Sequence, residues 1–586
     1  MRSRGIALVI TLAVLLMVGL LVFGAFFTTQ IERWVSRNDV TATQAQYVAD
    51  AGLDKYKTAL FQYFRWLQEP GNDSTAAPTR TACFNRLGAG LDLNRTGSPI
   101  SWNNGRITYP SEVLTDADGN VLGNYTVTIY KDPDDSNLYT LEAVGTSSGA
   151  RSTVRATFRI ELTGALQQAV FTGQGQSNKF INGGATIRGG IYVVGSDPNA
   201  TVIDSNGNFT MLNRYDLTDS SRYPSNVANR VHPNNRSANN LCANLRVQYG
   251  KVSVGGSTQI GEETNRVVGV WVGRGASDVN NGGSFNCQQT KGICTDVGPA
   301  AFDLSNPPAF PTFDGPGVCQ IPSNGNPTWR QCIRYVASLP GQGLFISRTG
   351  SVPVVQWPSA ALPSAIPGSC YNAVAAAAAS SDKKLVLDSV PVDCSYTMPD
   401  GSRGGFKYTP NPAKLEVYGT VNLKGFSLRL ARDADYQART ALLGATPLVE
   451  RQNASLVVEK LDSSDTLGGN LDLDGSLLPD AAGGNAYFPN HVLAVIAEGD
   501  TYQRGQYVMA PVYSGGTFRI VKDNVLLGSV ISNMFCTTSA GNQASCNAGQ
   551  KSEVVYINTA ENVPAALRPI QYRGPATFKL LSYERR

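Results

Sequence analysis

The side chains that most often carry chemistry are scarce in this chain of 586 residues. There are two histidines, His232 and His491, and ten cysteines. Two histidines are a thin supply for a zinc site or a histidine-based triad. His232 precedes Pro233 in a polar stretch and His491 opens an apolar run, each without a partner motif. Walker loop and HExxH are missing from the sequence, and its G-x-S-x-G match, Gly145-Thr146-Ser147-Ser148-Gly149, reads as a turn between strands and not as a nucleophile elbow, so no catalytic residue is expected. No two cysteines have C-x-x-C spacing, which argues against a zinc knuckle or a redox pair. In an exported chain they read as staples. The sequence-near pairs are Cys287/Cys294, Cys319/Cys332, Cys370/Cys394 and Cys536/Cys546, which leaves Cys83 and Cys242 as a longer link. Each bridge would contribute about 2–4 kcal/mol through the unfolded state. Two acidic turns remain. Asp116-Ala117-Asp118-Gly119-Asn120 lacks the ligand spacing of a calcium loop and reads as a hairpin turn. Asp472-Leu473-Asp474-Gly475 reads the same way, with a weak calcium ion on Asp472 and Asp474 left open. No other metal or cofactor is expected.

The remaining candidate is a binding segment. Residues 213–251 carry Arg214, Arg222, Arg230, Arg236, Arg246 and Lys251 against Asp216 and Asp219, interleaved with Tyr215, Tyr223 and Tyr249. Phosphates need fixed cations, and unpaired bases stack on tyrosine rings at about 1–3 kcal/mol each. These residues are therefore the candidates for contact with DNA. The alternative is a long polar loop whose arginines keep it solvated.

The elements that would position them begin with a helix. Behind Arg2 and Arg4 runs an uncharged apolar stretch from Ile6 to Phe27. As a helix it measures about 33 Å, enough to cross a hydrocarbon layer of about 30 Å. The leading arginines place that end in the cytoplasm and the bulk of the chain outside. A cleaved signal peptide would have a shorter apolar region and an A-x-A-like site, neither of which is here. The helical pattern continues to Gln68. Ala45, Ala49, Leu53, Tyr56, Leu60, Phe64 and Leu67 form an apolar stripe. Asn38-Asp39 and Gly52 are where a bend or local unwinding is expected. Three strands follow, Tyr125–Tyr130, Leu138–Val144 and Ser152–Leu162, separated by turn sequences and so antiparallel. In the third, Val154, Ala156, Phe158 and Ile160 alternate with Arg151, Arg155 and Arg159.

Beyond residue 165 the text changes to short β-branched strands cornered by glycine and asparagine, such as 186–195, 251–256, 415–430, 492–498 and 528–531. Charged residues are 16% of the chain, with 59 glycines and 31 prolines. That composition suits a turn-rich β protein outside the cell. Irregularly spaced short strands with glycine corners point to a β-solenoid with long insertions, and a β-sandwich is the other reading. Tyr371 to Ala379 is expected as a short helix.

The N-terminal layout resembles the type IV pilins and their PilX-like minor relatives. The resemblance rests on the short basic leader ending in Gly5, the apolar helix after it, and Tyr47-Val48-Ala49-Asp50-Ala51-Gly52-Leu53. That stretch is similar to the family's AEAGL-type motif, with Asp50 where glutamate is usual. It implies that a prepilin peptidase cuts between Gly5 and Ile6 and methylates the new N-terminus. It also implies a pilin head of a long helix laid on an antiparallel sheet. The chain departs from the family at Ile10, where most pilins have glutamate. That glutamate pairs with the amine of the subunit above, and an unpaired carboxylate in lipid is costly. Ile10 therefore suits a subunit with nothing above it, at a tip.

The length and the solenoid-like insertion extend the resemblance to the large minor pilins of competence systems. The expected organisation is a leader (1–5), a transmembrane half-helix (6–27), an amphipathic half-helix (28–69), a β head (70–165), an inserted β domain (166–535) and C-terminal strands (536–586) free to return to the head. The resemblance implies a non-enzymatic, single-pass protein of the cytoplasmic membrane, displayed at a pilus tip and contributing to DNA capture and uptake. Its expected partners are other major and minor pilins, prepilin peptidase, the inner membrane and DNA. The alternatives are a tip adhesin or motility minor pilin, an initiation subunit of a type II secretion pseudopilus, and a carbohydrate-active solenoid enzyme. The net charge of +4 falls to +2 without Arg2 and Arg4. Any DNA affinity must come from where the charges sit.

Overall fold

The computed structural model describes residues 3–67, 90–91, 93, 100–132, 138–161, 165–174, 185–280, 287, 292–302, 304, 307–317, 319, 321–322, 325–356, 367–399, 401–439, 452–480, 487–538, 551–559, 563–567 and 577–585. The chain divides into two compact units. One comprises Met1–Trp66, Asn85–Glu161 and Phe578–Arg586; the other comprises Leu67–Phe84 and Leu162–Thr577.

The first unit is a helix on a sheet. The helix Ser3–Leu67 is unbroken, so neither Asn38-Asp39 nor Gly52 unwinds it. Its apolar half from Leu8 is exposed, and its later face buries Ala45, Val48, Ala49, Leu53, Tyr56, Leu60 and Tyr63. The strands Val121–Lys131, Leu138–Ser147 and Ala150–Glu161 pair antiparallel in sequence order. Arg106–Thr108 and Glu112–Thr115 both pair with Val121–Lys131. Alternation puts Tyr125, Val127, Ile129, Tyr139, Leu141, Ala143, Val154, Ala156 and Phe158 on the buried face. The C-terminal strand Thr577–Arg585 lies beside Ala150–Glu161 in the same sheet.

Small residues explain how closely helix and sheet approach. A Cβ on Gly145 would lie 2.3 Å from the Ala45 carbonyl oxygen and 2.4 Å from the Ala49 nitrogen. One on Gly52 would meet the Tyr125 ring at 2.6 Å. Gly52 is thus a packing residue, and the bend expected there is replaced by contact with the sheet. Tyr583 donates its hydroxyl to Asp50, and Arg585 Nη2 lies 3.4 Å from the other Asp50 oxygen, so Asp50 receives the returning strand.

The second unit is mostly β, and its strands stack in parallel. One ladder runs Gly343–Thr349, Thr420–Lys424, Gln452–Glu459, His491–Ala497, Tyr507–Val521 and Val525–Thr538. It then continues through Val170–Thr172, Ile191–Val193, Asn244–Val247, Val267–Val272 and Thr295–Ala300. A second ladder crosses the same join, where Glu553–Tyr556 pairs with Thr186–Arg188. Spatial order therefore differs from chain order. Residues 165–300 build outward from a seam in the middle, and 343–556 build from the far end back to it. The large domain thus extends past 535: Val525–Thr538 and Glu553–Tyr556 are ladder strands, and of the last segment Thr577–Arg585 joins the head.

The intervening segment makes the return. It covers an outward row of the first ladder formed by Val457, Ile496, Tyr513, Ile531, Phe171 and Tyr192, each the pairing partner of the next. Leu304, Phe313, Trp329 and Ile333 pack on that row. Trp329 donates to the Ala566 carbonyl at 2.7 Å, and Tyr513 donates to that of Pro311 at 2.7 Å. The segment ends in a helix, Trp329–Ser338, opened by a capping box between Thr328 and Gln331. Arg330 holds the helix down through Asp314, the fully buried Glu459 and Glu498 at 2.7–2.8 Å. Arg334 and Asn422 complete Glu459's partners. A second helix occupies Gly368–Ala379.

Disulfides join Cys287 to Cys294, Cys319 to Cys332 and Cys370 to Cys394. Cys242 and Cys536 are disulfide-bonded as well. Cys83 and Cys546 lie outside the described residues.

Candidate functional site

The basic segment is a folded insertion rather than a polar loop. Tyr215–Asp216 pairs antiparallel with Ser237–Ala238, and a short helix, Ser225–Ala228, lies between them. Tyr215, Leu217, Tyr223, Val227 and Val231 pack with Phe488, which bridges to Val231, and with Val492, Met509 and Leu527 of the parallel strands. Burial withdraws three of the proposed DNA contacts. Tyr215 is buried with its hydroxyl on the Asn235 carbonyl at 2.8 Å. Tyr223 is buried with its hydroxyl on Glu553 at 2.8 Å. Arg246 is buried, 4.5 Å over the Trp271 ring, with Asn244 accepting from it at 3.0 Å. Neither ring is free to stack on a base.

The other basic residues divide into two groups. Arg230 is drawn in by Asp435 at 3.0 Å and by the Pro479 carbonyl, and Arg236 donates to the Val231 carbonyl at 3.0 Å. Arg230 thus ties the insertion to the strands Ala434–Arg439 and Leu477–Pro479, and Arg236 holds the insertion's own turn. Lys251 opens a parallel strand opposite Thr201. The more open group lies around Glu553, a buried carboxylate that accepts from Arg188, from Arg222 at 2.9 Å and from Tyr223. Burial first, and then the Glu553 charge, push the Tyr223 phenol well above its ordinary range, so it stays neutral. Arg188 also donates to the Arg214 carbonyl at 3.1 Å, and Arg214 forks onto Glu262 at 2.6 and 2.9 Å. The side chains of Arg214 and Arg222 remain 52% and 42% exposed. Three guanidiniums thus meet two carboxylates at one place.

Asp472 and Asp474, the open calcium position, face cations. Asp472 takes Lys384 at 2.9 Å, and Asp474 takes Arg429 at 2.6 Å and Arg504 at 2.5 Å. Ammonium and guanidinium groups occupy the oxygens that a calcium ion would need. Asp116 closes the head's hairpin turn by accepting from the Asn120 amide at 2.8 Å. His491 Nε2 accepts from the Ala438 amide at 2.6 Å inside the core, and His232 Nδ1 accepts from Asn234 at 3.3 Å. At the N-terminus, Gly5 and Ile6 lie in helical backbone, and Ile10 is 58% exposed.

The carboxylate partners were beyond the reach of sequence reading. Glu553 is 331 residues from Arg222 and Asp435 is 205 from Arg230. Arg188 was missed because it sits alone in a strand. The helix at 329–338 was missed as well, although Thr328 and Gln331 carry its capping signature.

Among solved structures, the crystal structure of the competence-associated pilin ComZ from Thermus thermophilus matches with a TM-score of 0.69 and 49% identity, over 93% of this chain and 97% of that one. The chain belongs to the ComZ-like competence pilins. Neither a protein-family model nor a curated protein matches it. As a ComZ-like pilin it is a structural, non-enzymatic protein, anchored by one N-terminal membrane helix with its bulk exported.

Proposed function

We propose that this pilin is a large minor subunit at the tip of a type IV competence pilus, where its β domain contributes to DNA capture and uptake. The observation that carries the reading is the identity with a competence-associated pilin along nearly the whole of both chains. The parallel ladders support describing the large domain as a β-solenoid, wound in two directions from its seam. Ile10 supports the tip position, since it leaves no carboxylate needing the amine of a subunit above. Gly5 and Ile6 would be the prepilin peptidase's cleavage pair. The other pilins of the fibre are its assembly partners.

For DNA, Arg214 and Arg222 beside Arg188 are the retained candidates, with Lys251 nearby in sequence. Tyr215, Tyr223 and Arg246 no longer are. A deletion strain tests the function: transformation is lost while attachment to surfaces persists. Normal transformation with lost attachment would assign an adhesin instead. Solubilised full-length protein should bind duplex DNA at about 50 mM salt and weaken steeply by about 200 mM. Arg214→Gln should weaken binding and leave the fold intact, because its guanidinium lies at the surface.

A further inference from the structure

We propose that Trp34, Arg33 and Arg37 form an interfacial anchor that seats the helix in the outer headgroup layer of the membrane and prefers anionic phospholipid. The proposal rests on the reading that the apolar start of this helix spans the membrane. Three observations place the anchor.

The helix is continuous from Ser3 to Leu67, so distances along it are fixed. From Ile6 to Trp34 it rises about 42 Å, the thickness of a bilayer with its headgroups, about 40–45 Å. If Ile6 lies at the cytoplasmic surface, Trp34 lies at the opposite one. Thr28 and Thr29, between the apolar run and Trp34, return their hydroxyls to the carbonyls of Gly24 and Ala25 at 2.9 Å. The last residues before the interface thus present no unsatisfied hydroxyl to lipid.

The second observation is exposure. Helix burial on the head begins only at Ala45, and Trp34 is 73% exposed. A bare indole there has an apolar ring and a polar N–H, the combination that concentrates at membrane interfaces.

The third is direction. Helical side chains lean toward the helix N-terminus, which here is toward the membrane. Arg33 and Arg37 are one turn apart on one face. Arg37, about 4.5 Å beyond Trp34 along the axis, therefore extends its guanidinium back to the phosphate level. Guanidinium forks match phosphate oxygens. Glu32 shares the groove with Arg33 and Arg37, so residues 32–37 keep a net charge of +1 at the headgroup level, the sign that suits an anionic lipid surface.

The test uses full-length protein in phosphatidylcholine vesicles doped with brominated lipids. Trp34→Phe isolates one of the six tryptophans. The expected result is quenching strongest with bromine near the headgroup and lost in Trp34→Phe. Brominated phosphatidylglycerol should quench more than brominated phosphatidylcholine at equal mole fraction, with local enrichment of about fivefold for each arginine. The difference should disappear in Arg33→Gln/Arg37→Gln. Quenching greatest with bromine deep in the chains would overturn the anchor. So would Trp34-dependent quenching that disappears as protein density rises, which would assign the face to a second copy. Protein that does not enter vesicles at all would overturn the membrane-spanning reading itself.

Discussion

Glu112 in the head accepts from Lys55, from Tyr56 at 2.9 Å and from Tyr125 at 2.5 Å, tying the helix to two strands. Burial alone would raise its carboxyl, but hydrogen bonds from Lys55, Tyr125 and Tyr56 outweigh it and hold it below the ordinary 4.5. A carboxylate lowered by folding contributes stability that is fully present above its unfolded value. That contribution is lost as pH falls through the folded value. Acid titration of head unfolding should therefore show a loss beginning below about pH 4.5 that Glu112→Gln removes. Because the pair is partly exposed, Glu112→Gln should cost only about 1 kcal/mol at neutral pH. Gly145 should be less forgiving. Its missing Cβ faces helix backbone, which cannot swing aside as a side chain can. Gly145→Ala is expected to cost about 1–3 kcal/mol by denaturant unfolding. Gly325→Ala, with nothing within 4 Å, should change stability by less than about 0.5 kcal/mol.

At the scale of elements, the return segment depends on one guanidinium. Arg330 reaches three carboxylates, of which Glu459 has no exposed surface. Removing the cation leaves a buried charge uncompensated except through Arg334, so Arg330→Ala should destabilise the large domain by about 3–5 kcal/mol. Adding Glu459→Gln should restore part of that loss, and thermal unfolding of the single and double variants measures it. The element also shows what sequence could and could not convey. The head was legible because Val154, Ala156 and Phe158 alternate with polar residues, and one solvated face leaves a period of two. The ladder strands around Phe171, Tyr192 and Ile496 are apolar on both faces because Leu304, Phe313, Trp329 and Ile333 cover the outer one, so periodicity is lost there. The candidate site was half legible. Cations show in the sequence, but a carboxylate supplied across the fold by Asp435 turns Arg230 from an apparent binding arginine into a structural one.

For the molecule as a whole, the order in which the strands pair decides where the large domain is weakest. In chain order, Val170–Thr172, Thr186–Arg188 and Ile191–Val193 are the first strands of the inserted domain, and a domain stacked in sequence would place them at a fraying end. Here Val170–Thr172 is paired on both sides, with Val525–Thr538 and with Ile191–Val193, so it lies mid-stack. The ladder's described ends are Thr295–Ala300 and the hairpin of Gly343–Thr349 with Val352–Gln356. In a stack whose steps contact only their neighbours, an end step loses one interface's worth of support and opens first. Native-state hydrogen exchange should therefore be slowest at Val170–Thr172, Val525–Thr538 and Glu553–Tyr556. It should be at least about tenfold faster at Thr295–Ala300 and Val352–Gln356, consistent with local openings costing well below global unfolding. Fast exchange at 170–172 would mean that the two stacks of strands are separate bodies that merely abut. Equal protection there and at 530–532 would instead show that the seam is as continuous as any other step. The domain's two ends in sequence would then be its most firmly held strands, and the arginines gathered on Glu553 would sit on the join itself.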